Sequence, residues 1–361
     1  MSARRRRLVL LLSAVVAGCA PRAESPSAAA VPSPDAYERA WPVMGTMLRV
    51  VVWDTSATHA ARVAASVRAT VSELDSLLSN YRDDSDVSRV NVSSAWQDVS
   101  PLTTEALAVA LDYARRSGGA FDPTVGPVVD VWGFYRETGA MPSAAAIDSA
   151  RALVGWQRVE LTRVPSRVRL AVPGMRLDFG AIGKGFAVDR ALLAAEAAGA
   201  TALMVDLGGN IGVLGVAPGG GDWPLGLRHP RDPDVPFAVI DAPAGSAVAT
   251  SGDYERYFVH AGVRYAHIVD PRTGWPVQGV ASVSVLAPDG TASDALSTTL
   301  FVLGVERGCD FIEREPGVAA IWVLSQGSDD DALRAVVGGP EAGRIGVAPD
   351  VALTRCEEID G

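Results

Sequence analysis

The sequence predicts an α+β fold, a single domain of mostly antiparallel sheet with packed helices. Three observations lead there. Strand-like runs are short and β-branched, and most fall together between Ala202 and Leu286. Helical periodicity is confined to a few separate stretches, so the chain lacks the regular βαβ rhythm of a parallel sheet. The runs flanking Ala261-Gly262 read as a hairpin, which joins antiparallel neighbours.

The elements follow in order. Residues 47–53 are an apolar, β-branched run suited to a strand. Residues 58–78 carry Val63, Val67, Val71, Leu74 and Leu78 at helical spacing, and a polar stretch over 79–91 comes next. Residues 103–117 form a second helix with Gly118-Gly119 as its stop, followed by a Gly/Pro-punctuated loop over 120–133. A strand at 167–172 leads through a glycine-rich turn into a helix over 184–198, closed by Gly199. Strands follow at 202–205, 212–216, 237–240, 257–260, 264–269 and 282–286. A helix opens near Ser293 and ends at Gly304, and 318–324 is a late strand.

Ahead of these elements the chain reads as an export signal. Arg4, Arg5, Arg6 and Arg7 form a basic run, residues 8–16 are apolar, and Val16-Ala17-Gly18-Cys19 brings small residues up to a cysteine. The apolar run is too short for a spanning helix, which needs about 20 residues. The cysteine resembles the lipobox of bacterial lipoproteins, whose thiol is acylated and becomes the new N-terminus. The expectation is a signal peptide over 1–18, a lipidated tether over 19–40 rich in Ala, Pro and Ser, and one domain over 41–361. Such a protein belongs in the cell envelope, held by lipid on Cys19 on the periplasmic side of a membrane.

Among 361 residues, 48% are hydrophobic and 20% charged, with a formal net charge of −10. No basic run exists beyond the signal, so no nucleic-acid partner is expected. Cys309 and Cys356 remain once Cys19 is lipidated. They could pair in an oxidising compartment or stay as buried free thiols, the latter being slightly favoured. There is no CxxC and no close His/Cys cluster, which argues against zinc.

Three stretches could carry chemistry. In Leu177-Asp178-Phe179-Gly180-Ala181-Ile182-Gly183-Lys184-Gly185 a strand ends in glycines and a helix begins near Lys184. Glycines admit a phosphate, helix N-terminal N–H groups favour anions, and the lysine adds a positive charge. The order is not that of a P-loop, and a tight turn with a solvated lysine is the alternative. In Ser293-Asp294-Ala295-Leu296-Ser297-Thr298, Asp294 and Thr298 share a helix face and could both reach a hard cation such as Mg2+. On spacing alone, helix capping by Ser293 or Asp294 is the first reading and metal binding the second. His267 ends a β-branched run beside an Asp-Pro-x-x-Gly turn, as a general base or a half-buried structural residue.

Together these stretches resemble the FAD:protein FMN transferase family, the ApbE-like flavin transferases. The resemblance rests on MGT at Met44, SNYRDDSDVSRVN at Ser79, GGAFDPTVGP at Gly118 and LDFGAIGKGFAVD at Leu177. It continues with VDLGGN at Val205, ATSGDYERYF at Ala249, HIVDPRTGWPV at His267 and SDALSTTLFVLG at Ser293, in the family's order across nearly all of the chain beyond the tether. It implies a flavin transferase (ApbE-like) fold. It also implies that FAD is the substrate, that FMN is moved to a Thr or Ser hydroxyl of an exported or membrane flavoprotein, and that AMP is released. Met44, Tyr81, Ala120, Phe121, Asp122, Asp178, Lys184 and Ile268 match positions lining the family's FAD site. Ala181, through its carbonyl, joins Asp294 and Thr298 at the Mg2+, with Ser297 as a weaker match. His267 matches the histidine that activates the acceptor hydroxyl, and Lys184 would stabilise phosphoryl charge. One departure is visible: most members have Ala at the position of Gly183. The alternatives are FAD hydrolysis to FMN and AMP by the same residues, or lipid-anchored flavin binding without catalysis.

Overall fold

In the computed structural model, which describes residues 35–136, 138–232, 236–326, 329–349 and 351–359, the first strand comes earlier than composition suggests. The signal segment, Cys19 and residues 19–34 lie outside the described residues. The expected end of the tether at residue 40 is corrected: Asp35–Val43 is strand β1, paired antiparallel along its length with β2 (Thr46–Asp54). The Ala/Pro-rich composition masks an alternation in which Tyr37, Trp41 and Val43 pack against the core while Glu38 and Ala40 stay exposed. Met44 and Gly45 both take positive φ, the geometry that suits a two-residue hairpin turn.

Helix α1 (Ala57–Leu78) starts where the Ser56 hydroxyl accepts from the His59 N–H, and it buries Val63, Val67, Val71, Leu74 and Leu78 as their spacing requires. A short α2 (Asp86–Asn91), capped by Ser85, lies inside the polar stretch, where six residues are too few to display a period. β3 (Gln97–Asp98) and α3 (Pro101–Arg116) follow, α3 with proline in its first turn and Ser100 as cap. The stretch expected as a loop over 120–133 contains α4 (Gly126–Val131), and α5 (Ala144–Arg151) comes next. Then come β4 (Val159–Arg163), β5 (Ser166–Leu170), α6 (Gly183–Ala197), β6 (Leu203–Leu207), β7 (Asn210–Leu214), β8 (Trp223–Arg228), β9 (Pro236–Ala242) and β10 (Ala247–Gly252). The hairpin of β11 (Tyr257–His260) and β12 (Val263–Ala266) turns at Ala261 and Gly262, as expected.

The strand expected over 264–269 is split. β12 ends at Ala266, and β13 (Val269–Asp270) pairs instead with β14 (Trp275–Pro276). Between them the His267 N–H donates to Arg256 O at 2.9 Å, one further bond in the β11–β12 register before the chain turns into β13. After β15 (Val280–Ala287), α7 (Gly290–Ile312) passes through Gly304 rather than stopping there, because glycine tolerates the φ of 72° that kinks it. The chain ends with β16 (Ala319–Gln326), β17 (Asp329–Gly338), β18 (Ile345–Val347) and β19 (Ala352–Arg355).

Nine strands form one sheet in the order β1-β2-β6-β7-β10-β15-β16-β17-β19, antiparallel at every junction except β17–β19. α6 packs between α1 and α7 on one face. The small sheet β18-β9-β8 covers the other. β16 serves both: Ala320 and Trp322 join the helical core, while Ala319, Ile321 and Val323 join the core under the small sheet. This is the α+β architecture expected, with the central strand β15 buried along its whole length.

The slight preference for free thiols is corrected as well. Cys309 on α7 and Cys356 after β19 form a disulfide across 47 residues. The two cysteines meet because the parallel strand β19 returns the chain to α7. Gly338 makes room, since a Cβ there would lie 2.2 Å from Cys356 Sγ. By the loop-entropy relation the bridge contributes about 4 kcal/mol. The Cys309→Ala/Cys356→Ala protein is expected to unfold at a clearly lower urea concentration, and an unchanged midpoint would refute this.

Candidate active site

A cavity of 1460 Å³ gathers the β1–β2 turn, the segments around Tyr81 and Phe121, the start of α6, the end of β10 and the first turns of α7. It takes in Met44, Tyr81, Ala120, Phe121, Asp122, Asp178, Ala181, Lys184, His267, Ile268, Asp294 and Thr298, every residue singled out from the sequence except Ser297. Its volume exceeds the ~300–1,000 Å³ of ordinary small-ligand pockets, leaving room for a dinucleotide and part of a second reactant.

The charged end lies where α6 meets α7. Asp294 is buried, and its Oδ2 accepts from the Gly185 N–H at 2.8 Å. Lys184 Nζ stands 3.7 Å from Asp294 Oδ1. Buried Asn210, at the start of β7, bridges them with its amide oriented nitrogen toward Asp294 and oxygen toward Lys184, the assignment its neighbours require: the nitrogen then donates to Asp294 Oδ1 at 3.1 Å and the oxygen accepts from Lys184 Nζ at 3.2 Å. Asp189, one turn after Gly185, accepts from Gly290 N at 2.5 Å and Thr291 N at 2.8 Å, which fixes the start of α7. Thr298 lies one helical turn after Asp294, and its Oγ1 is 3.1 Å from Ser251 Oγ.

Ser297 is placed differently from expectation. It is fully buried and off the cavity, its Oγ donating to Asp294 O at 2.9 Å and lying 2.8 Å from Ser251 Oγ. Ser297 is three residues from Asp294 and shares its flank of the helix, but its hydroxyl is turned back onto Asp294 O and onto Ser251, away from the cavity. The oxygen donors left on the cavity are Asp294, Thr298 and the Ala181 segment, a set with one carboxylate. That suits Mg2+, which takes one or two carboxylates and fills the rest with water and phosphate oxygens.

The aromatic side is held by contacts across long sequence distances. Tyr81, exposed by 60%, accepts at Oη from Arg256 Nη1 at 2.8 Å and meets Tyr135 edge-on. Tyr135 Oη donates to Asp178 Oδ2, and Asp178 Oδ1 accepts from Gly180 N at 2.6 Å. The Asp122 carboxylate is occupied by the Thr124 N–H at 2.8 Å, the Thr124 hydroxyl at 2.6 Å and the Trp156 N–H at 3.1 Å, so it shapes the loop. Burial nonetheless raises its affinity for a proton.

His267 sits beside these groups with its Nδ1 3.3 Å from Arg256 O. A carbonyl only accepts, so Nδ1 carries the hydrogen and Nε2 keeps its lone pair. Burial, reinforced by the Arg256 and Lys184 charges, holds the imidazole down at about 4. The ring is therefore neutral at pH 7 and able to take a proton.

Asn210, Ser251, Arg256 and Tyr135 were missed as site residues. The first three lie inside motifs quoted from the sequence, VDLGGN and ATSGDYERYF, while Tyr135 had no signal.

The ApbE family model matches residues 44–322 of this chain. The FAD:protein FMN transferase of Treponema pallidum is 37% identical over 325 residues, covering 84% of this chain and 87% of that protein. The FAD:protein FMN transferase of Salmonella typhimurium is 31% identical over 330 residues, covering 89% and 93%. Among solved structures, the ApbE protein of Thermotoga maritima superposes with a TM-score of 0.75 at 35% identity, over 80% of this chain and 94% of that one. The flavinyl transferase ApbE of Pseudomonas stutzeri gives 0.73 at 32%, over 86% and 96%.

Proposed function

Because this chain belongs to the ApbE family and is an FAD:protein FMN transferase, we propose that it moves FMN from FAD to a Thr or Ser hydroxyl of exported flavoproteins, with Mg2+ and with release of AMP. The observation that carries this reading is the convergence, in one cavity, of a Lys184–Asp294 pair with a neutral histidine.

The acceptor oxygen attacks the phosphorus of the FMN half, an O–P bond forms, and the P–O bond to the AMP half breaks. His267 Nε2 takes the hydroxyl proton, and AMP leaves with the bridging oxygen. Lys184 supplies positive charge where phosphoryl oxygens gather negative charge. Asn210 and Gly185 orient Lys184 and Asp294. Asp294, Thr298 and Ala181 would hold the Mg2+, which when bound neutralises phosphate charge. Met44, Tyr81 and Phe121 offer apolar surface to the flavin ring.

The test is to incubate the purified protein with FAD, MgCl2 and a candidate acceptor flavoprotein, and to measure in-gel flavin fluorescence together with AMP. One AMP per covalent flavin is expected. AMP released equally with and without acceptor, and no fluorescent band, would favour hydrolysis instead.

The pH profile is a second test. A base with a pKa of about 4 stays unprotonated well below the ordinary histidine value of 6.5. Activity should be flat on the acid side from pH 8 to 5 and fall only as pH drops through about 4. A limb at 6.5 that disappears in His267→Ala would refute the neutral buried base.

We further propose that lipid on Cys19 holds the enzyme on the periplasmic side of a membrane, supported by the basic run, the short apolar run and the small residues before the cysteine. Cys19→Ala is expected to give a protein that no longer sediments with membranes yet transfers FMN in solution.

A further inference from the structure

Exposed apolar side chains stand on two ribbons that border the cavity. Tyr257 (46% exposed), Val259 (60%), Val263 (42%) and Trp275 (42%) all belong to the ribbons β11–β12 and β13–β14. The first ribbon is well anchored. Phe258 and Tyr265, paired across it, stack at 5.4 Å between ring centroids, and Tyr265 stacks at 5.6 Å on fully buried Trp132. Tyr257 pairs with Ala266 and Val259 with Arg264, so strand alternation puts Tyr257, Val259 and Arg264 on the face opposite that stack. The Arg264 guanidinium lies 4.2 Å over the Tyr257 ring. Tyr257 also lines the cavity, and His267 follows Ala266 directly, so the exposed face begins at the proposed base and runs outward.

We propose that this face of the β11–β12 ribbon, formed by Tyr257, Val259 and Arg264, is the docking surface for the acceptor protein; Val263 pairs with His260 on the opposite face, and Trp275 meets Trp132 edge-on on that same opposite side. The inference rests on the functional reading above. The second substrate of a protein FMN transferase is itself a protein, and its hydroxyl must reach His267 from outside. A folded acceptor presenting that hydroxyl has to lie against whatever surrounds the mouth. Exposed apolar side chains on one face beside a site mark interaction surfaces, and Tyr and Arg are among the types enriched at binding hot spots. The anchored ribbon adds little ordering cost on binding. A lipid surface is the other partner for such a face, but lipid lying on it would shut the mouth against the acceptor.

The test uses Val259→Asp on this face and, as a control, Val263→Asp on the opposite face of the same ribbon, both exposed and outside the cavity lining. The probes are FAD, a purified acceptor flavoprotein that the wild-type protein labels, and vesicles of phosphatidylethanolamine and phosphatidylglycerol. The expected result is a rise of about tenfold or more in the acceptor KM for Val259→Asp. The FAD Kd, the kcat at saturating acceptor and the melting temperature should stay within about twofold or a degree of wild type, as for other surface changes. An unchanged acceptor KM in Val259→Asp, or an equal rise in Val263→Asp, overturns the proposal. Loss of vesicle binding with an unchanged acceptor KM overturns it too and assigns the face to lipid. A wild-type protein that binds FAD but labels no acceptor fails at the functional reading itself, which separates that failure from a failure of the docking surface.

Discussion

Asp294→Asn is expected to lower FMN transfer by about 10²–10³-fold, the range seen when a pre-organised charge or donor is removed from a reaction centre. The substitution keeps side-chain volume and leaves one oxygen to accept from the Gly185 N–H, which Asp294 Oδ2 now does at 2.8 Å. What it removes is charge. Lys184 then faces a neutral amide, and the only carboxylate among the proposed oxygen donors is gone. The expected signature is loss of stimulation by Mg2+ with FAD binding retained, measured by initial rates across a MgCl2 titration and by quenching of flavin fluorescence. Asp294→Ala should be worse, because it also leaves the buried Gly185 N–H without a partner. Near-wild-type rates in Asp294→Asn would refute the assignment of Asp294 to the cation and phosphate end.

The residues of this centre were legible to different degrees, for physical reasons. Asp294 and Thr298 could be read because a helix brings i and i+4 together, and Lys184 because glycines before a helix have few other uses. Asn210 could not be read this way. Its role depends on β7 lying against both α6 and α7, and a glycine turn ending in asparagine is an ordinary hairpin signal. Arg256 is similar: its link to Tyr81 spans 175 residues. Among the elements, α1 declared itself by length and period, α6 by the glycine turn before it and Gly199 after it, and β15 by the β-branched pattern of its middle. β1 was hidden by Ala and Pro, and α2 and α4 by having six residues each. The small sheet of β8, β9 and β18 contributes residues at wide sequence intervals, so only its middle strand was visible.

Gly185→Ala is expected to abolish transfer and lower stability together, although on helix propensity alone it should stabilise α6 by about 0.5–1 kcal/mol. The two effects differ greatly in size, and packing decides. A Cβ at position 185 would lie 2.0 Å from Gly290 O and 2.6 Å from Asp294 Cβ, against an ordinary contact of 3.4–4 Å. Both neighbours are part of α7, so no side chain can rotate away. α7 would have to retreat by more than about 1 Å, against the clamp in which Asp189 accepts from Gly290 N and Thr291 N. Gly290 is constrained in the same way, since a Cβ there would meet Gly185 O at 2.6 Å. A retreat of that size carries Asp294 away from Lys184 and Gly185 N, and misplacement by 1 Å costs on the order of 10²-fold in rate. Gly183→Ala is the control two residues away. Its Cβ would meet Phe179 Cβ at 3.3 Å and Met44 Cε at 3.8 Å, which a shift of a few tenths of an ångström relieves. It should therefore keep its activity. Rates and urea midpoints of the two variants should therefore diverge sharply, and equal behaviour would show that α6 and α7 do not need this close approach to build the site.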